Sequence, residues 1–180
     1  MADSLQEVKD LALRCGFSQV GDLDVSTIRL REEVRAACAE NKCGAYGTRW
    51  SCPPGCGTLE ECDERIRKYK RGIILQTTGQ LEDEFDGEGT METARLHGEH
   101  CDAFAKAVRK IYPNCLMIGA GACTRCESCT YPEEPCRFPD ELSASMEALG
   151  MVVSDVCQDN NLPYYYGKGT LTYTGCVLIE

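Results

Sequence analysis

Leu5, Val8, Leu11 and Ala12 recur at helical spacing and Gly16 follows as a stop, so a helix is expected over Ser4 to Leu13. The same period places a second helix over Ser26 to Ala39, with Ile28, Leu30, Val34 and Ala37 on its inner face and Cys38 at its end. Thr58-Leu-Glu-Glu61 has the form of a capping box and starts a third helix, to about Lys70. Thr90 to Tyr112 is the longest helical pattern, ended by Pro113, and Pro139-Asp140 opens a last helix to about Leu149, with Gly150 as its stop. Between these lie short apolar runs that read as strands: Gly72 to Thr78, Cys115 to Ile118, Met151 to Val156 and Leu171 to Ile179. Acidic Gly79 to Gly89 has no apolar period and reads as an exposed loop, and Asn160 to Gly169 as turns leading into the last strand.

Helices alternating with short strands imply an α/β fold, a single layered domain over residues 1–180 that carries two cysteine-rich loops. A weak internal echo runs through residues 30–80 and 115–157, each with a cysteine loop near proline, then a helical pattern, then an apolar run. The longest apolar runs are too short to span a bilayer, so no membrane insertion is expected. The opening MADSLQEVKDLALRCGF has neither the basic start nor the continuous apolar stretch of a signal peptide, which points to a cytoplasmic protein.

Composition changes this picture in two ways. The formal net charge is -10, with basic residues dispersed apart from Lys68 to Arg71, so nucleic acid is not an expected partner. The chain also has 14 cysteines, and a reducing cytoplasm makes a disulfide framework unsuitable for them, which leaves metal as the leading explanation.

Cys123, Cys126, Cys129 and Cys136 form a C-x2-C-x2-C-x6-C run. Two-residue gaps let three thiolates converge on one face of a tight loop, and a fourth cysteine near a proline completes the ligand set of a cubane iron-sulfur cluster. Zinc is the alternative, since it also takes four thiolates, usually through two separated C-x2-C pairs. Cys38, Cys43, Cys52 and Cys56 make a second set with less regular spacing, and Cys62 stands close enough to replace Cys56 as its fourth member. Arg49, Arg125 and Arg137 lie within the loops as counter-charge, and the helices that follow each loop are expected to turn their positive amino ends towards it.

The run EVRAACAENKCGAYGTRWSCPPGCGTLEEC, with GACTRCESCTYPEEPCRFPDELSASMEALG, resembles a family of predicted metal-binding proteins of unknown function from anaerobic bacteria and archaea. The likeness covers about Val8 to Ile179, through the CPP, C-x2-C-x2-C, C-R-x-P and SMEA-x-G elements. It implies that Cys38, Cys43, Cys52 and Cys56 form an amino-terminal motif, and Cys123, Cys126, Cys129 and Cys136 a carboxy-terminal one, at iron-sulfur sites.

The remaining residues read as structure. Cys15, Cys101, Cys115, Cys157 and Cys176 are expected to act as small core hydrophobes, and His97 and His100 to lie on a helix surface. Gly119-Ala-Gly121 reads as an entry to the second cysteine loop, Tyr164 to Gly169 as a turn, and Met146 as packing next to that loop. The expected function is that of a protein with two 4Fe-4S clusters passing single electrons to a partner protein. The alternatives are a reductive enzyme, or an activator of one, with a small-molecule substrate at one cluster, and a zinc-stabilised interaction module.

Overall fold

The computed structural model describes residues 5–180; Ser4, the expected first residue of the opening helix, lies outside them. Helix α1 (Leu5–Arg14) leads to strand β1 (Gln19–Asp24), helices α2 (Glu32–Ala39) and α3 (Leu59–Ile66), and strand β2 (Arg71–Gln80). Then come α4 (Gly87–Val108), β3 (Leu116–Ile118), α5 (Val153–Asp159) and β4 (Thr170–Ile179). The fold is mixed α/β, with an open sheet in the order β1-β2-β4-β3 and every neighbouring pair antiparallel.

Strands β2 and β4 read as continuous apolar runs because both of their faces are buried. Ile73, Leu75, Val177 and Ile179 point to one side, where they meet Val8 and Ala12 of α1 and Phe104 and Val108 of α4. Ile74, Cys176 and Leu178 alternate to the other side, against Cys62 and Ile66 of α3 and Val156 and Cys157 of α5. Fully burying a side chain of this size contributes about 1.5–3 kcal/mol, so these two cores hold the sheet between its helical layers. A side chain at Gly79 would run into Thr93, so glycine in β2 lets α4 lie directly on the strand. Among the described residues, no helix is long and apolar enough to cross a membrane.

Local hydrogen bonding overrides the sequence pattern at three places. Met151 to Val156 is not a strand: Met151 makes one bridge to Leu30, and α5 starts at Val153, burying Val153, Val156 and Cys157 at helical spacing. Pro139 to Leu149 is not a helix beyond a 3-10 turn at Pro139–Glu141. Ser143 Oγ donates to the Met117 carbonyl at 3.2 Å and Ser145 Oγ accepts from the Ala148 N–H at 3.0 Å, so serine side chains supply partners that a helix would have taken from its own backbone. Ser26 to Ala39 is divided for the same reason, since Asp24 accepts from the Ser26 N–H at 2.9 Å and closes a 3-10 turn at Val25–Thr27 before α2 begins. Strand β1 went unpredicted because it is an edge strand with Leu23 as its one fully buried residue.

Cys157 and Cys176 are buried, and Cys15, Cys101 and Cys115 are packed half-buried against the α1–α4 core, as small hydrophobes should be. Residues 164–169 form a turn into β4, anchored by Tyr166 Oη donating to Gln76 Oε1 at 2.6 Å. The surface position expected for His97 is wrong. His97 is 2% exposed, and its Nδ1 and that of His100 each stand 3.0 Å from the Thr77 hydroxyl, beneath Phe17. Burial, with the neighbouring His100, pushes the His97 pKa down to about 4.

Between pH 6.5 and 4, unfolded chains bind a proton at residue 97 that folded chains refuse, so stability is full above pH 6.5 and falls as the pH drops through this window. The loss from this residue is expected to be about 3 kcal/mol. Denaturant unfolding of the wild type and of His97→Asn across this range should therefore show the gap between them shrinking towards pH 4. A gap independent of pH would refute the account.

Candidate metal centres

The first cysteine loop starts in the last turn of α2, which carries Cys38, and ends where Thr58 caps α3. The capping box expected there is present: Thr58 Oγ1 accepts from the Glu61 N–H at 3.2 Å, and Glu61 accepts from the Thr58 N–H at 2.8 Å. Within the loop the Gly47 N–H donates to Pro53 O at 2.8 Å and the Cys56 N–H to Cys52 O at 3.0 Å, which folds the CPPGC stretch back on itself. Cys43 is exposed, Cys38 half-buried, and Cys52 and Cys56 are buried.

The floor of this site comes from the far end of the chain. The Cys38 thiol approaches the Glu147 carbonyl at 4.0 Å and the Cys56 thiol the Ala148 carbonyl at 3.5 Å. Met146, expected to pack beside the second cysteine loop, is instead fully buried in the sheet-facing core, and the SMEA segment supports the first loop. Burial, then Cys43 and Cys52, push the Cys38 thiol up; burial, with Cys43 and Cys123 adding, does the same to Cys52. Cys38 thus feels the charge of Cys43 and Cys52, and Cys52 that of Cys43 and, from the second set, Cys123.

Cys62 sits behind Cys56, fully buried in α3. Arg35 Nη2 donates to Cys62 Sγ at 3.3 Å and to Cys56 Sγ at 3.6 Å, while Arg65 Nη2 donates to Cys62 Sγ at 3.4 Å. The Cys56–Cys62 hydrogen bond and these two guanidinium groups lower the Cys62 pKa against the cost of burial, and the same hydrogen bond, with burial, raises that of Cys56.

The second loop leaves β3 through Gly119, whose N–H donates to Ala144 O at 2.8 Å. Cys123, Cys126, Cys129 and Cys136 all line one pocket. No carboxylate or imidazole lines it, whereas Arg49, Arg125 and Arg137 do. Burial is the largest single influence on Cys129 and opposes its ionisation, but the backbone N–H groups of Tyr131, Trp50 and Thr130 together with Arg49 outweigh it, and its pKa is lowered. Soft thiol donors without oxygen ligands, with cationic groups around them, suit an anionic iron-sulfur or zinc-thiolate centre. Among the described residues, no three His, Cys, Asp or Glu side chains are drawn together closely enough to share a single ion. The helix amino end expected after Cys136 is missing, because only the 3-10 turn follows. Counter-charge at this loop therefore comes from arginine side chains.

The two loops interlock. Ser51, 1% exposed, accepts the Cys123 N–H through Oγ at 3.0 Å, and Arg49 Nη1 donates to Cys123 O at 2.9 Å. Trp50 donates to Glu134 O at 3.1 Å and meets Tyr131 edge-on at 4.9 Å. Gly55 belongs to the same contact, since a Cβ there would stand 2.6 Å from Arg49 O and 2.9 Å from the Tyr131 ring. Sequence reasoning singled out Arg49, Arg125 and Arg137 but missed Arg35, Trp50, Ser51 and Arg65. A signal was available for two of these: Arg35 precedes Cys38, and Arg65 follows Cys62, by three residues, which puts each pair on one helix face.

Ser51→Ala would leave the Cys123 N–H without its acceptor at a part-buried site, an expected loss of about 1–3 kcal/mol in unfolding free energy. Urea unfolding of the two proteins measures it, and superimposable curves would mean that the loops are not tied at this point.

No curated protein and no solved structure matches the chain. The family model described as "Predicted metal-binding protein (DUF2284)" matches residues 21–179, from the third residue of β1 to the last of β4 and through both cysteine loops. The chain belongs to this family of predicted metal-binding proteins.

Proposed function

We propose that the protein carries two 4Fe-4S clusters, held by Cys38, Cys43, Cys52 and Cys56 and by Cys123, Cys126, Cys129 and Cys136, and that it passes single electrons to a partner protein. The observation that carries this reading is the pocket of the second loop, where four cysteines in C-x2-C-x2-C-x6-C order form the wall together with three guanidinium groups. When bound, such a cluster accepts and returns one electron at a time. The residues around it do the rest. Arg49 and Arg137 offset part of the negative charge of four thiolates, and the N–H groups facing Cys129 stabilise its ionised sulfur. Arg125 is paired with Asp102 at 2.7 Å and Glu141 at 2.5 Å, so its charge is already met by carboxylates.

Cys52 of the first set follows Ser51, which is hydrogen-bonded to Cys123 of the second. A covalent and hydrogen-bonded route one residue long thus joins the two sets, which supports electron exchange between them. Cys56 is the fourth member of the first set in this reading, with Cys62 behind it, its Sγ within 3.5 Å of Cys56 O. A zinc centre at either set is the alternative, and the three successive C-x2-C steps favour the corners of a cubane over it. The reductive-enzyme reading is favoured by a different observation, a cavity bordered by Cys56 of one set and Cys136 of the other.

Protein purified without oxygen should be brown, contain iron and acid-labile sulfide, and give on reduction an EPR spectrum split by two nearby spins. Cys126→Ser should remove about half of the iron and sulfide and abolish the splitting. One zinc per site without sulfide would end the proposal.

A further inference from the structure

A cavity of about 410 Å³ lies between the two cysteine loops. That volume is in the range of small-molecule sites. Its floor is mostly apolar, with Leu116 and Ile118 of β3 beside Ala144 and Leu149, and Trp50 joins the lining. Each cysteine set contributes one residue, Cys56 and Cys136. Arg65 of α3 is the one formally charged residue in the lining.

Among the described residues, Arg65 makes no salt bridge with a carboxylate, and it donates only through Nη2, to Cys56 O at 2.9 Å and Cys62 Sγ at 3.4 Å. Its Nε and Nη1 are left for another acceptor. Arg35 also donates to Cys62 Sγ, so that sulfur has a second cationic partner and does not depend on Arg65 alone. A guanidinium beside an apolar, part-buried space favours a carboxylate, which it can bind through two parallel N–H···O bonds. The Trp50 ring and the β3 floor favour an apolar or aromatic body.

We infer that this cavity binds a small organic monocarboxylate with an aromatic or branched aliphatic body, its carboxylate on Arg65 and its body between Trp50 and β3. The anchoring groups, Arg65, Trp50 and β3, are all supplied by the protein. The site puts the ligand beside one cysteine of each set, where a reductive enzyme would need it.

The test is isothermal titration calorimetry of the full chain, purified without oxygen, with phenylacetate and its neutral counterpart phenylacetamide as probes and with iron, zinc and sulfide measured on the same sample. Phenylacetate should bind saturably, and the amide at least about tenfold more weakly. Arg65→Met should bring phenylacetate to the level of the amide while leaving the amide unchanged, and Ala144→Leu, which narrows the floor without touching Arg65, should weaken both. Equal affinity for acid and amide, no binding of either to folded wild-type protein, or phenylacetate binding indifferent to both substitutions would overturn the inference. If Arg65→Met does not fold, the acid–amide comparison and Ala144→Leu still decide it. Binding by protein that holds zinc or no metal would sustain the cavity and sink the electron-transfer proposal, and iron-loaded protein that binds neither probe would do the reverse.

Discussion

The contact between the two cysteine loops is what the rest of the molecule is arranged around. Ser51 accepting the Cys123 N–H and Arg49 donating to the Cys123 carbonyl satisfy both backbone groups of the first cysteine in the second loop. Neither loop has a regular element to supply those partners, and unmet polar groups at this depth would be costly. Trp50 against Tyr131, and the bare Gly55 beside both, close the remaining space. Each loop therefore completes the other, and the two cysteine sets become neighbours because of it.

The sheet makes that contact possible from below. β2 and β4 are sealed on both faces, so β3, paired to β4 through Leu116, Met117 and Ile118, leaves the sheet from a fixed position and delivers the second loop. The stretch after that loop returns over Gly119, with the Gly119 N–H donating to Ala144 O and the Met146 N–H to Gly119 O. It then buries Met146 and presents the Glu147 and Ala148 carbonyls to Cys38 and Cys56. A segment near in sequence to the second set thus serves the first. A cross-connection of this kind ties both sites to the core beneath them.

Charge around the cysteines is supplied mostly by side chains. Arg35 and Arg65 converge on Cys62 from α2 and α3, while Arg49, Arg125 and Arg137 surround the second set. An acidic chain of net charge -10 thus gathers guanidinium groups around both of its cysteine loops. Guanidinium groups suit this because they stay charged when partly buried and donate in several directions at once. The cavity on β3 borders this region and shares one of those arginines.

Much of this was legible in the sequence. Apolar runs gave β2, β3 and β4, helical periodicity gave α1 and α4, the capping box gave the start of α3, and the cysteine spacings picked out two loops and eight residues as candidate ligands. These features are local, set by a backbone period or by how few residues separate two thiols, and local chemistry is what a sequence displays. Tertiary structure decided what depends on distant partners. Residues 143–150 run extended and turned instead of helical because Gly119 and Met117 offer them hydrogen bonds, and Val153 starts a helix because the second face of the sheet takes Val153, Val156 and Cys157 on one side. His97 is inside because Thr77 and Phe17 lie over it. Ser51 meets Cys123, and Ala148 meets Cys56, across separations for which a sequence carries no period, so the nearness of the two cysteine sets and the cavity between them belong to the fold alone.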